Sequence, residues 1–234
     1  IFITGASTGL GYASAKLFAS KGWKVIATMR DPSKSDLAAI PGVTLLPLDV
    51  TDAAQIKDAA AKALALGPVD VVFNNAGYGL AGAFEGATDE QLQTQLDTNL
   101  LGVMRVTQAF LPALRAQTSG MILTTTSIGG LVTFPFNSVY HATKWALEGW
   151  SESLAYELAP FSIKVRTLAP GAKIVDVRTR AELDEVGKKA VSVGPAGRAR
   201  HDGGQVRDAD VAHALVLVAG RCVKLQPNRF DTRR

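Results

Sequence analysis

The sequence predicts an α/β fold, a doubly wound parallel sheet with helices on both faces. Three observations predict it. Short β-branched runs alternate with longer, Ala-rich stretches of helical period. The runs are apolar on both faces, so each strand needs cover above and below, which a parallel sheet obtains from its crossover helices. The chain has 234 residues, 47% hydrophobic and 20% charged, which suits one domain with a substantial core.

The elements follow in order. Ile1 to Thr4 is the first strand, and Leu10 to Lys21 the helix after it. Lys24 to Thr28 and Val43 to Leu48 read as the second and third strands. A helix from Asp52 to Leu66 leads into the fourth strand, Val69 to Phe73. A long helical pattern covers Asp89 to Leu114, and the strand Met121 to Thr126 follows. Ser138 to Leu158 is helical, and Ile163 to Leu168 is the sixth strand. This alternation is Rossmann-like. No internal repeat or break in composition divides the chain, so a single domain over 1–234 is expected.

One stretch departs from the pattern. Lys173 to Asp208 is rich in Gly, Arg and Lys, has weak periodicity, and contains Gly194-Pro195 and Gly203-Gly204. It reads either as a surface loop or as a lid over the site, and its length inside a compact domain favours the lid. A short helix from Asp208 to Ala219 follows it.

Net charge is +4 with a pI near 9.2. The Lys and Arg residues are spread along the chain rather than clustered, which argues against a nucleic-acid partner. Cys222 is the only cysteine, so no internal disulfide forms, and the composition fits a reducing, cytoplasmic setting. No apolar stretch approaches the ~20 residues that cross a bilayer. His201 and His213 have no Cys or acidic neighbours at metal-ligand spacing, so no metal is expected. The chain starts at Ile1, without Met and inside an apolar run. It reads as clipped, and a lost targeting segment stays open.

Where the first strand turns into the first helix stands Thr4-Gly5-Ala6-Ser7-Thr8-Gly9-Leu10-Gly11. The spacing G-x-x-x-G-x-G is a relative of the dinucleotide fingerprint. Gly5 and Gly9 allow unusual backbone angles and close approach of a pyrophosphate, and Gly11 lets the helix pack on the strand. The free N–H groups of the helix then face the phosphates. At the end of the second strand, Met29 stands where a ribose-binding acid is expected, and Arg30 can grip a 2′-phosphate. This favours NADP(H). Asp31 keeps NAD(H) open, because a shift of one residue reverses the reading.

Tyr140-His141-Ala142-Thr143-Lys144 sets a Tyr and a Lys one helical turn apart on one face. A free tyrosine titrates near ~10, and a neighbouring ammonium favours the phenolate. Ser127 follows the fifth strand, at the edge where open α/β sheets bind ligands. Alone, Y-x-x-x-K is a common pattern. His141 points away from Tyr140, as adjacent helix positions do, and a packing or surface role is expected for it. Phe134, Pro135, Phe136 and Tyr78 suit either the wall of an apolar substrate pocket or the core.

Together these pieces resemble the short-chain dehydrogenase/reductase family, in its hydroxysteroid and retinol dehydrogenase-like branch, over about Ile1 to Gly171. The motifs are TGASTGLG at 4–11, LDV at 48–50, NNAG at 74–77, NLLG at 99–102, TSIGG at 126–130, YHATK at 140–144 and PG at 170–171. The resemblance implies an alcohol/carbonyl oxidoreductase. In it Ser127 polarises the substrate oxygen and Tyr140 is the general acid or base. Lys144 eases ionisation of Tyr140 and holds the nicotinamide ribose. It implies that Asn99 kinks its helix and anchors a water in the proton relay. Asp49 and Val50 would contact adenine; Asn75, Ala76 and Gly77 would lie beside the adenosine ribose; Pro170 and Gly171 would face the nicotinamide. The helices around Asp89–Leu114 and Ser138–Leu158 would form a homodimer or homotetramer surface. The family's Thr after the Pro-Gly pair is missing, since Lys173-Ile174-Val175-Asp176 follows and the nearest Thr is Thr179. The competing class is a non-catalytic sensor of the cofactor with the same fold, which tight NADPH binding without turnover would reveal.

Overall fold

The computed structural model describes residues 1–170. Gly171, the lid expected at 173–208, the helix expected at 208–219, and His201, His213 and Cys222 lie outside the described residues.

The described chain forms one parallel sheet of six strands: β1 (Phe2–Ile3), β2 (Val25–Met29), β3 (Val43–Pro47), β4 (Val71–Asn74), β5 (Gly120–Thr125) and β6 (Ile163–Leu168). Their order is β3-β2-β1-β4-β5-β6. The order reverses between β1 and β4, and at such a switch point the carboxyl ends of the strands open a crevice for ligands. The helices are α1 (Gly9–Ser20), α2 (Ala53–Ala65), α3 (Asp89–Leu96), α4 (Gly102–Gln117) and α5 (Ser138–Leu158).

Strand register explains why the runs are apolar throughout. Ile26, Phe2, Val72, Ile122 and Val165 align across five strands. They point to one face, where they pack with Ala59 and Ala63 of α2, Phe110 and Leu114 of α4, and Leu154 and Leu158 of α5. Shifted by one residue, Ala27, Ile3, Phe73 and Leu123 point to the other face and meet Ala15 and Phe18 of α1. Phe2 and Phe110 lie 4.7 Å apart, ring to ring. Full burial of each large side chain stabilises the fold by about 1.5–3 kcal/mol. A polar replacement at either row would leave an unpaired group in the core.

Helix starts are set by short polar residues. The Asp52 carboxylate accepts from the Ala54 and Gln55 amides at 2.8 and 3.1 Å, which fixes the start of α2. Thr88 and Gln91 form a reciprocal capping box at the start of α3. The observed α5 and β6 coincide with the stretches expected from periodicity. Most other ends shift by a single residue, and the larger differences lie in three places. β1 is confined to Phe2–Ile3, and β4 begins at Val71, two residues later than expected. The helix expected to run unbroken from Asp89 to Leu114 is interrupted by a π-helical turn at Asp97–Leu101. Such turns are rare and frequently lie at functional sites.

Candidate active site

Between β1 and α1 the backbone turns through Gly5 and Gly9, with φ of +66° and +57°. A methyl group on Gly5 would lie 2.7 Å from the Ala76 Cα, and one on Gly11 would press into the Gly5 carbonyl oxygen. Glycine at these positions therefore allows the helix, the turn and the segment after β4 to touch. Asn75 ties them together: its Nδ2 donates to the carbonyls of Thr4 and Gly5, both at 3.1 Å. The Thr4 hydroxyl accepts from the amides of Asn75 and Ala76, both at 3.0 Å.

The front of α1 is open. Thr8 stands at the N-cap with no side-chain cap bond, and Ser7, Thr8 and Gly9 are exposed, with Leu10 half-buried behind them. A methyl group on Gly9 would meet nothing within 4 Å. An uncapped helix start has unpaired N–H groups and the positive end of its dipole, a combination that fits a pyrophosphate. This open cradle is the observation on which a dinucleotide fits.

Two loops flank the cradle. Arg30, at the end of β2, is exposed and has no hydrogen bond or ion pair among the described residues. Asp31 is committed locally. Its carboxylate accepts from the Ser33 hydroxyl at 2.6 Å and the Ser33 amide at 3.1 Å, bonds that hold it below the usual carboxylate range. Past β3, Asp49 Oδ1 accepts from the Thr51 amide at 2.9 Å and the Thr51 hydroxyl at 2.7 Å. Val50 is buried, and a methyl group on Gly102 would lie 2.8 Å from its carbonyl oxygen.

The other side of the crevice gathers Ser127, Tyr140, Lys144 and Asn99. Ser127 begins the turn after β5, and its Oγ accepts from the Gly129 amide at 3.0 Å. Tyr140 and Lys144 lie one turn apart on α5, Lys144 Nζ being 5.8 Å from the centre of the Tyr140 ring. Lys144 is buried, and its ammonium donates to the Thr125 carbonyl at 2.8 Å. Burial pushes the Lys144 ammonium down to about 8, while Glu148 one turn on pulls it back up. Glu148 is itself held by the Thr167 hydroxyl at 3.1 Å.

Asn99 lies inside the π turn and is fully buried. Its amide pairs with the Tyr78 backbone in both directions, donating at 2.7 Å and accepting at 3.0 Å. Nδ2 also reaches the Thr143 hydroxyl at 3.4 Å. Gly77 stands between this group and the lysine: a methyl group there would lie 3.1 Å from Asn99 Oδ1 and 3.8 Å from Lys144 Nζ.

Phe134 and Phe136 are exposed, so they are not core residues. Phe136 has φ of +62°, which is uncommon for a bulky side chain. With Leu80, Phe84 and Val139 it lines an open groove beside the start of α5. Tyr78 is partly exposed, although its backbone is pinned by Asn99. The Pro170 carbonyl accepts from the Ile128 amide at 3.4 Å. Three supporting groups escaped sequence reasoning. The Thr4 hydroxyl was visible inside the glycine motif. Thr125 acts through its carbonyl and Gly129 through its amide, which no side-chain motif encodes.

The short chain dehydrogenase family model matches residues 1–186. The 3-ketodihydrosphingosine reductase of Bacteroides thetaiotaomicron is 41% identical over 172 residues, which cover 73% of this chain and 62% of that protein. Human 17-beta-hydroxysteroid dehydrogenase type 1 is 40% identical over 183 residues, covering 73% and 56%. The chain thus spans less than two thirds of these relatives. A solved structure of a metagenomic short-chain oxidoreductase in complex with NADP superposes with a TM-score of 0.69 at 28% identity, covering 80% of this chain and 86% of that one.

Proposed function

The chain belongs to the short-chain dehydrogenase family, and on that premise we propose that it is an NADP(H)-dependent oxidoreductase interconverting an alcohol and a carbonyl, with Tyr140 as general acid or base. The observation that carries the reading is the buried Lys144 ammonium near the Tyr140 ring, on the Thr125 carbonyl two residues before Ser127. The bound nicotinamide supplies or accepts the hydride. The protein handles the proton. With a lone pair of Ser127 Oγ taken by the Gly129 amide, its O–H is left to donate to a carbonyl oxygen. The Tyr140 hydroxyl gives its proton to that oxygen as negative charge develops on it, and takes one in the reverse direction. Lys144 sets a positive charge near the Tyr140 ring and would hold the nicotinamide ribose.

Gly5, Ser7, Thr8, Gly9, Leu10 and Gly11 would hold the pyrophosphate. Asp49, Val50, Asn75, Ala76 and Gly77 would line the adenosine side, and Pro170 with Gly171 the nicotinamide side. The unengaged Arg30 guanidinium suits a 2′-phosphate, whereas Asp31 is occupied by Ser33. NADP(H) is therefore the preferred cofactor. The single cysteine suits a cytoplasmic setting. Trp145, half-exposed on α5, suits a homo-oligomer contact.

A carbonyl panel read by oxidation of NADPH and NADH tests the reading. Tyr140→Phe should lower turnover by about 10²–10⁴ while NADPH binding is kept. Turnover as fast as wild type would refute the mechanism. Tight NADPH binding with no turnover of any carbonyl would point to a sensor instead.

A further inference from the structure

We propose that His141 is a positioning residue whose neutral ring clamps the turn carrying Ser127 onto α5 and thereby sets where the Ser127 hydroxyl stands relative to Tyr140. The proposal rests on the roles given above to Ser127 and Tyr140. His141 is 4% exposed, one residue beyond Tyr140, and both ring nitrogens are engaged. Nε2 accepts from the Phe134 amide at 2.8 Å. An amide can only donate, so Nε2 holds a lone pair and the proton of the neutral ring sits on Nδ1. Nδ1 lies 2.6 Å from the Gly129 carbonyl and donates to it.

Gly129 is the link to Ser127. Its amide donates to Ser127 Oγ at 3.0 Å while its carbonyl is held by His141. The residue whose N–H orients the serine hydroxyl is thus fixed by the neighbour of the tyrosine. A methyl group on Gly129 would lie 2.9 Å from His141 Nδ1 and 3.2 Å from Tyr140 Cε1, so turn, histidine and tyrosine are in mutual contact. The segment Ser127–Phe136 carries no ionisable side chain. From α5 the ionisable neighbours are Tyr140, ring centroid 6.1 Å away, and Lys144 and Glu148, which pack against Gly130. The Phe134 ring, 5.1 Å from His141, covers the imidazole on the loop side.

Two variants divide the clamp. His141→Asn keeps a donor near the Nδ1 position and loses the acceptor; His141→Gln keeps an acceptor near Nε2 and loses the donor. Both are compared with wild type and Tyr140→Phe using NADPH and the fastest carbonyl of the panel. The expected result is a fall in kcat of about 100-fold for His141→Gln, with NADPH affinity unchanged and kcat near wild type for His141→Asn. Wild-type kcat in His141→Gln, or an equal loss in both variants, would overturn the proposal. Nitrogen-15 spectra of the wild-type imidazole test it however the variants fold. They should show a protonated Nδ1 and a bare Nε2 at neutral pH; the opposite tautomer or a charged ring overturns the clamp. If Tyr140→Phe keeps its turnover, the functional reading fails, and the spectra still decide the clamp.

Discussion

The glycine turn after β1 and the serine turn after β5 stand at the carboxyl ends of neighbouring parts of one sheet, and both bend through glycine. They are held in different ways. The first gets its shape from backbone: left-handed Gly5 and Gly9, a helix start with no side-chain cap, and close contact with Ala76. The second is held by side chains that arrive from α5, with Lys144 on the Thr125 carbonyl and His141 on Gly129, while Asn99 pins the Tyr78 backbone alongside. A surface that must grip a phosphate needs bare N–H groups and little else. A surface that must move a proton needs charges and hydroxyls at fixed positions, so it draws on several elements.

The sharpest way to separate the two regions is Lys144→Met. Turnover should fall by about 10²–10⁴, whereas the melting temperature at neutral pH should be no lower than wild type, because a buried ammonium has been removed. The pH dependence has a definite sign. The folded Lys144 titrates at about 8 and the ordinary value is 10.5. Between these values the unfolded chain binds more protons, so wild-type stability should rise with pH across that window. Below it both states are charged and the burial penalty is undiminished. Over the same rise the folded protein loses its ammonium, so under the proposed function kcat/KM should drop as pH passes about 8. A urea midpoint series against pH, run with Lys144→Met alongside, checks both; persistence of either trend in the variant would assign it to another group.

Substitutions in the glycine turn should act on stability and cofactor binding instead. Gly11→Ala drives a methyl group into the Gly5 carbonyl and to 2.5 Å from Asn75 Nδ2, and should cost about 1–3 kcal/mol as overpacking. Gly9→Ala meets open space and carries only the left-handed backbone cost of about 1–2 kcal/mol. Denaturation midpoints that rank Gly9→Ala as the worse of the two would show that contact is not what fixes Gly11. The smallest effect belongs to Arg30→Ala. The KM for NADPH should rise about tenfold, the loss of one charge-assisted contact, with that for NADH unchanged. An equal rise for both cofactors would remove Arg30 from the 2′-phosphate site.

The two regions also differ in how legible they were. Alternation of apolar runs and Ala-rich stretches gave the sheet and the extents of α5 and β6, because burial on both faces leaves a compositional mark. The glycine motif is local, so it was readable as a string. The π turn was not readable from periodicity. Asp97 to Leu101 contains neither Gly nor Pro, and the interruption is tied to tertiary contacts of Asn99 with Tyr78 and of Gly102 with Val50. Only the family resemblance singled out Asn99 there. Periodicity likewise left Phe134 and Phe136 between pocket wall and core; both are exposed, and Phe136 lines the groove beside the start of α5. For His141 a packing or surface role is expected; it is buried and serves two backbone groups, an arrangement visible only once the Ser127 turn is folded against it.

The side chain of Asn75 has a consequence for anyone re-engineering this protein. Its Nδ2 grips the glycine turn, and its Oδ1 accepts from the Thr125 hydroxyl at 3.3 Å, on the residue whose carbonyl holds Lys144. The two halves of the crevice are therefore not interchangeable modules. Arg30 is a peripheral part, whereas a transplanted glycine turn has to keep its carbonyls within reach of Asn75, which links it to the strand end that holds the lysine.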